Sequence, residues 1–371
     1  YFNRYMDPNN SEEFVGSKEL NYWKEVDLYI GGSEHATGHL LYSRFWQKFL
    51  FDHKLVPVEE YSKKLINQGM ILGSSALIYR KVGTQEYVSK NLLENNKVET
   101  IRVDTSLVNS KNELNIEGLK KWIPEFKNSR FILENGKYIV GRDVEKMSKS
   151  KFNVVNPDKI CDQFGADTLR MYEMFLGPIE QSKPWDTSGI SGVHSFLKKL
   201  WRLYHPIDNF SINDQKASSD SLKTLHKTIR KVSQDIEDFS FNTCISSFMI
   251  CVNELKSQKC NSKEILKPLI ILLSPFAPHF CEEIWHLMGY RSSISNEMYP
   301  IYDLKFLIEL EKEYPISFNG KMRFKKSLSL DLSENDIKKN ILKDQRTINF
   351  LNGSQPKKII VVIGKIINIV Y

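Results

Sequence analysis

Glu145-Lys146-Met147-Ser148-Lys149-Ser150-Lys151 sets three lysines around two serines within one short stretch. Each ammonium carries three hydrogen-bond donors on a flexible stem. The serine hydroxyls and backbone amides between them satisfy the oxygens that the ammoniums leave. A loop of this composition fits a polyanion, above all a chain of phosphates. A solvated basic loop is the plain alternative for any isolated lysine pair, so the surrounding sequence has to decide.

Upstream, Val26-Asp27-Leu28-Tyr29-Ile30 reads as a short buried strand ended by Gly31-Gly32. Ser33 is then a helix cap, and residues 34–50 carry Leu40, Leu41, Phe45 and Phe49 on one side of a helix. Strand, glycine turn and helix start form an anion- and ribose-binding corner. His35 and His39 stand four apart on that helix, a metal-ligand spacing without an evident third ligand. A second strand over residues 63–72 breaks at Gln68-Gly69-Met70. From about residue 73 to 140 a polar insertion mixes strand and helix signals, and its residues suggest no chemistry.

Downstream, Asn156-Pro157-Asp158 caps and starts a helix, and Gly165 opens another. Helical periodicity then runs over residues 193–204, 221–237, 242–256, 263–273 and 278–288. His279, at a proline-rich corner, reads as structural. The tail alternates as strand 314–318, a turn at Asn319-Gly320, strand 323–330, helix 333–350 capped by Ser333, and strands 357–363 and 365–370 around Gly364.

The chain has 371 residues, enough for two or three domains, and 41% hydrophobic residues to build their cores. No apolar run is long enough to span a bilayer, so no membrane role is expected. Five cysteines without a C-x-x-C pair argue for a reducing, cytoplasmic setting and against a disulfide framework or a zinc site. The first residue is Tyr1, with no leader pattern after it, which reads as a piece of something longer. The net charge of +7 lies entirely in residues 316–371, which hold 11 Lys/Arg against four Asp/Glu. That is a nucleic-acid-like footprint on one module.

The unbroken Lys146-Met147-Ser148-Lys149-Ser150 matches the second signature of class I aminoacyl-tRNA synthetases. The run from Gly31 to Trp46 resembles the leucyl-tRNA synthetase version of the nucleotide corner. Phe241-Asn242-Thr243 and the stretch from Leu273 to Trp285 resemble the anticodon-binding bundle of the same group. The resemblance covers essentially the whole chain. It implies an α/β plus α fold in three parts: the second half of a class I Rossmann-like catalytic domain over 1–188, with the insertion and the 146–150 loop; an all-α anticodon-binding-type domain over 189–300; and a small α+β (ββαββ) module over 314–371.

It further implies the reaction, in which leucine and ATP, carried with Mg²⁺, give leucyl-adenylate and pyrophosphate, followed by leucyl transfer to tRNA(Leu). Lys146, Met147, Ser148, Lys149 and Ser150 would clamp the triphosphate. Gly31, Gly32, Glu34 and His35 would bind ATP at the adenosine, Gln68, Gly69 and Met70 would face the adenine, and His35 with Tyr1 would also line the leucine pocket. The tail would contact tRNA, with Lys321, Arg323, Lys325, Lys326, Lys357 and Lys358 as candidates. The family glycine after the loop is Phe152, a bulky residue expected to resist positive φ and stiffen or recurve the loop. The family's His-Ile-Gly-His-type motif, zinc module and editing domain have no counterpart in this sequence, so an N-terminal portion of the same enzyme is the expected partner. A tRNA-binding subunit without chemistry of its own is the alternative.

Overall fold

The computed structural model describes residues 2–93, 97–206, 209–307 and 311–371. Two units divide the chain: one comprises residues 1–217 and 228–300, the other residues 218–227 and 301–371.

In the first unit, helices α1 (Phe2–Met6) and α2 (Ser17–Trp23) precede β1 (Tyr29–Gly32). The expected strand starts later than its apolar residues suggest, and Val26 makes only an isolated bridge to Ser62. Helix α3 (His39–Asp52) also starts later than expected. Ser33 begins a short 3₁₀ turn and makes no capping bond, and Gly38, at φ −119° and ψ −94°, is the residue that precedes the α-helix. β1 pairs in parallel with β2 (Leu65–Gln68), the hallmark of a crossover through a helix. After Gly69 and Met70 the chain resumes as β3 (Ile71–Lys81).

β3 is the spine of a mixed sheet with β4 (Glu86–Val88), β5 (Val98–Val103), β6 (Arg130–Ile132), β7 (Gly141–Lys146) and β8 (Lys183–Pro184). Its residues 72–77 pair with β7 and 76–81 with β5, so those strands lie on opposite edges. Ala76, Ile78, Tyr87, Val103, Leu119 and Tyr138 make a core under this sheet, closed by α4 (Ile116–Trp122), which Asn115 caps at Gly118 N. The insertion is therefore a folded α+β layer built outward from β3. Burying each large apolar side chain there contributes roughly 1.5–3 kcal/mol. The Tyr138 phenol, pushed up by burial, donates to the Val88 carbonyl at 2.8 Å and accepts from Tyr79 N at 3.1 Å.

Asn156 caps α5 (Pro157–Phe164), followed by α6 (Ala166–Phe175). The helical region consists of α7 (Ile190–Tyr204), α8 (Ser219–Glu237), α9 (Phe241–Ser257), α10 (Lys263–Leu273) and α11 (Pro278–Leu287). Leu200, Phe248, Val252, Leu269 and Trp285 are buried along their apolar stripes. The buried Asp167 of α6 accepts from Phe280 N at 2.6 Å and His279 N at 3.4 Å, closing the start of α11. Thus His279 takes part in this corner through its backbone.

The second unit carries β9 (Glu311–Phe318), β10 (Lys321–Ser329), α12 (Glu334–Leu342), α13 (Gln345–Leu351), β11 (Lys358–Val362) and β12 (Ile366–Val370). The sheet order is β10-β9-β12-β11. Asn319 and Gly320, at φ 46° and 81°, make the tight turn between β9 and β10. The single tail helix expected over 333–350 is two helices, so the order is ββααββ rather than ββαββ. Asp344 breaks the run: its backbone is extended, and its carboxylate caps α13 at Arg346 N. Tyr314, Ile316, Ile337, Ile341, Ile367 and Ile369 fill the core between sheet and helices.

Candidate active site

The lysine loop is an extension of the sheet. β7 ends at Lys146, which lies opposite Leu72 at the start of β3. Beyond it, Asn153 is only 2% exposed and supports the turn from inside. Its side-chain carbonyl accepts from Ser148 N at 2.9 Å, and its amide donates to Ser75 Oγ at 3.0 Å. Gly73 makes room for it, since a β-carbon there would meet the Asn153 carbonyl oxygen at 2.5 Å. The loop tip is a 3₁₀ turn over Lys149–Lys151, and the Ser148 and Ser150 hydroxyls lie 3.1 Å apart.

The three lysines are not equivalent. Lys151 Nζ donates to Glu145 at 2.5 Å. Glu145 also accepts from Arg102 Nε at 2.8 Å and Ser75 Oγ at 2.5 Å. Arg102, then Lys151 and Ser75, hold the Glu145 carboxyl down at about 2. Lys146 and Lys149 are exposed, and among the described residues neither ammonium has a carboxylate partner. Phe152 does adopt the left-handed conformation it was expected to resist, at φ 52° and ψ 32°. Two contacts from the insertion hold it there: Trp122 meets its ring edge-to-face at 4.8 Å, and Thr105 N donates to its carbonyl at 3.2 Å.

The second part of the site is a pocket of about 390 Å³ lined by Tyr29, Gly31, Gly32, His35, His39 and Asn67, among others. A β-carbon on Gly31 would meet nothing within 4 Å, so this backbone stays open to an approaching ligand. Glu34 folds its carboxylate against Gly32, where a β-carbon would meet it at 2.1 Å. His39 is hydrogen-bonded to the Tyr29 hydroxyl through Nε2 and to the Tyr42 hydroxyl through Nδ1, so both ring nitrogens are occupied. That arrangement positions the ring and leaves it no lone pair for a metal. Among the described residues no cluster of three or more His, Cys, Asp or Glu side chains offers a metal site.

Gln68 lies opposite Gly32 at the end of β2, exposed beside the pocket. Gly69 and Met70 are engaged elsewhere: Gly69 N donates to the Ile179 carbonyl at 2.9 Å, and Lys183 N donates to the Met70 carbonyl at 2.9 Å. A β-carbon on Gly69 would overlap the Gln181 carbonyl. These two residues join β2 to β3, so the pocket edge at Gly32–Gln68 and the loop base at Leu72–Lys146 sit on one continuous ribbon. Tyr1 lies outside the described residues.

The tail candidates also separate. Lys326 is paired with Asp344 at 2.9 Å and donates to the Asn340 carbonyl. Lys325 pairs with Glu313 at 2.9 Å, and Arg323 sits at the β10 bulge with its guanidinium 5.5 Å from the Phe350 ring centroid. Lys321, Lys357 and Lys358 are exposed, without an ion pair among the described residues. Sequence reading missed Asn67, Ser75, Arg102 and Asn153. Arg102 is 43 residues from Glu145, and only the pairing of β5 and β7 with β3 brings them together.

Residues 126–186 match the family profile "tRNA synthetases class I (I, L, M and V)", and residues 220–340 match "Anticodon-binding domain of tRNA ligase". The whole chain is 62% identical to a leucine--tRNA ligase of Christiangramia forsetii and 60% identical to one of Flavobacterium johnsoniae. It spans 38% and 39% of the lengths of those curated relatives. A solved structure, the ternary complex of Agrobacterium radiobacter K84 agnB2 LeuRS with tRNA and LeuAMS, is similar at TM-score 0.61 and 27% identity. That likeness covers all of this chain and 41% of the solved one. Among the described residues no helix is long and apolar enough to cross a membrane.

Proposed function

We propose, from a chain that belongs to the leucyl-tRNA synthetase (leucine--tRNA ligase) family along its whole length, that it supplies the lysine-loop half of a leucine-activating site. The reaction is attack of the leucine carboxylate on the α-phosphate of ATP, releasing pyrophosphate, followed by leucyl transfer to tRNA(Leu). The observation that carries this reading is the pair of ammoniums, Lys146 and Lys149, without a carboxylate partner among the described residues, on a loop whose base shares a ribbon with the glycine-lined pocket. Charge that develops on the departing pyrophosphate is stabilised by preorganised cations at little cost in reorganisation.

In this assignment Gly31, Gly32 and Glu34 hold the adenosine and His35 borders the leucine, the role that the family resemblance also implies for Tyr1. Met147, Ser148 and Ser150 shape the loop. Gln68 faces the adenine, and Gly69 and Met70 set its position through the backbone. Mg²⁺ enters with ATP, bound mainly by the triphosphate oxygens. Residues 1–188 would form the catalytic part, 189–300 the helical domain, and 314–371 a tRNA-contacting module. The remaining length of the relatives, about three-fifths of the enzyme, would close the other wall of the site.

Lys149→Ala in the complete synthetase should cut leucine-dependent ATP–pyrophosphate exchange by ~100-fold or more while leucine affinity changes little. A loss below about tenfold, with tRNA binding intact, would favour a purely RNA-binding role for this chain.

A further inference from the structure

We propose that Glu145 is a positioning residue that holds Lys151 away from the triphosphate, so that the loop meets the phosphates through Lys146 and Lys149 alone. The inference rests on the assignment of the loop to the triphosphate.

Lys149 and Lys151 share one 3₁₀ turn. With a rise of about 2 Å per residue, their backbones lie close enough for both side chains to reach one phosphate chain. Left free, Lys151 would be a third mobile cation at the site. A flexible ammonium that binds ATP, transition state and pyrophosphate about equally raises affinity without lowering the barrier, and it slows release of pyrophosphate.

The structure removes that cation from play. Glu145 takes it at 2.5 Å, and the carboxylate is itself fixed. Ser75 donates to it from β3, Arg102 donates to it from β5, and only 15% of its side chain is exposed. The same Ser75 hydroxyl accepts from Asn153, which in turn holds Ser148 N. The carboxylate thus stands on a rigid sheet and ties down the exit of the loop, while Lys146 and Lys149 stay free. The hydrogen bonds from Arg102, Lys151 and Ser75 favour its ionised form.

The test is steady-state ATP–pyrophosphate exchange by the complete synthetase carrying Glu145→Gln, Glu145→Gln with Lys151→Met, and Lys149→Ala. Glu145→Gln should lower kcat by ~10-fold while the KM for ATP stays constant or falls, because the freed cation holds ATP and slows release of pyrophosphate. Adding Lys151→Met should return kcat to within about threefold of the parent, which a merely misfolded loop would not do. If Glu145→Gln is within about twofold of the parent while Lys149→Ala is crippled, the positioning role is overturned and the loop assignment stands. The positioning role is also overturned if the double variant stays as slow as Glu145→Gln, or if the loss appears in KM alone. If Lys149→Ala is itself active, the loop assignment fails and takes this inference with it.

Discussion

Phe152 occupies a backbone region that costs an L-residue with a β-carbon roughly 1–2 kcal/mol. Its edge-to-face contact with Trp122 returns about 0.5–1.5 kcal/mol. The two terms nearly cancel, so a bulky residue is tolerated where glycine would be effortless. Phe152→Ala keeps the strain and loses the ring, whereas Phe152→Gly loses both. The glycine variant should therefore be the more stable of the two by about 1 kcal/mol, read as a higher urea midpoint. The reverse order would mean that the left-handed conformation costs alanine less than the extra chain entropy that glycine loses on folding.

Among the elements, the junction between α12 and α13 depends on one carboxylate. Asp344 accepts from Arg346 N and Arg346 Nη2, each at 3.0 Å, and pairs with Lys326 at 2.9 Å. Hydrogen bonding to Arg346 outweighs the effect of burial, and with Lys326 it holds the carboxyl well below the usual range. A depressed folded-state pKa contributes stability that is fully present above the unfolded value of about 3.9 and is lost as pH falls toward the folded value. At neutral pH Asp344→Asn should weaken hydrogen-exchange protection of β9 to β12 by ~1–3 kcal/mol. The gap from the parent should narrow as pH falls below about 4. A gap independent of pH would place the effect in the cap geometry rather than in the charge.

For the whole molecule, the uneven charge gives a prediction that separates the basic residues by their surroundings. Lys321, Lys357 and Lys358 can trade counterions for phosphates, whereas Lys326 is committed to Asp344. Replacing the three free lysines with alanine should reduce the slope of log affinity for tRNA against log salt by ~2–3. Lys326→Ala should leave that slope unchanged and lower the stability of the second unit. An unchanged slope in the triple variant would make the basic excess a matter of solubility.

The sequence by itself determined the family, the lysine motif and the approximate course of most helices, because each is written locally. A motif is contiguous, a cap lies within three residues of its partner, and an amphipathic stripe repeats every turn. Hence Asn156, Asn319-Gly320 and Ser333 could be read directly. What lay beyond local reading was decided by contacts between distant residues. Helix α3 starts at Gly38–His39 rather than at Ser33, and His39 is held by Tyr29 ten residues before it. Phe152 turns left-handed where Trp122 and Thr105 meet it. Which of the loop's three lysines is tied down depended on Arg102, Ser75 and Glu145, brought together by β5 and β7 pairing on opposite edges of β3. Charge is a property of composition, but whether a charge is available is a property of its neighbours, and only the tertiary fold chooses those.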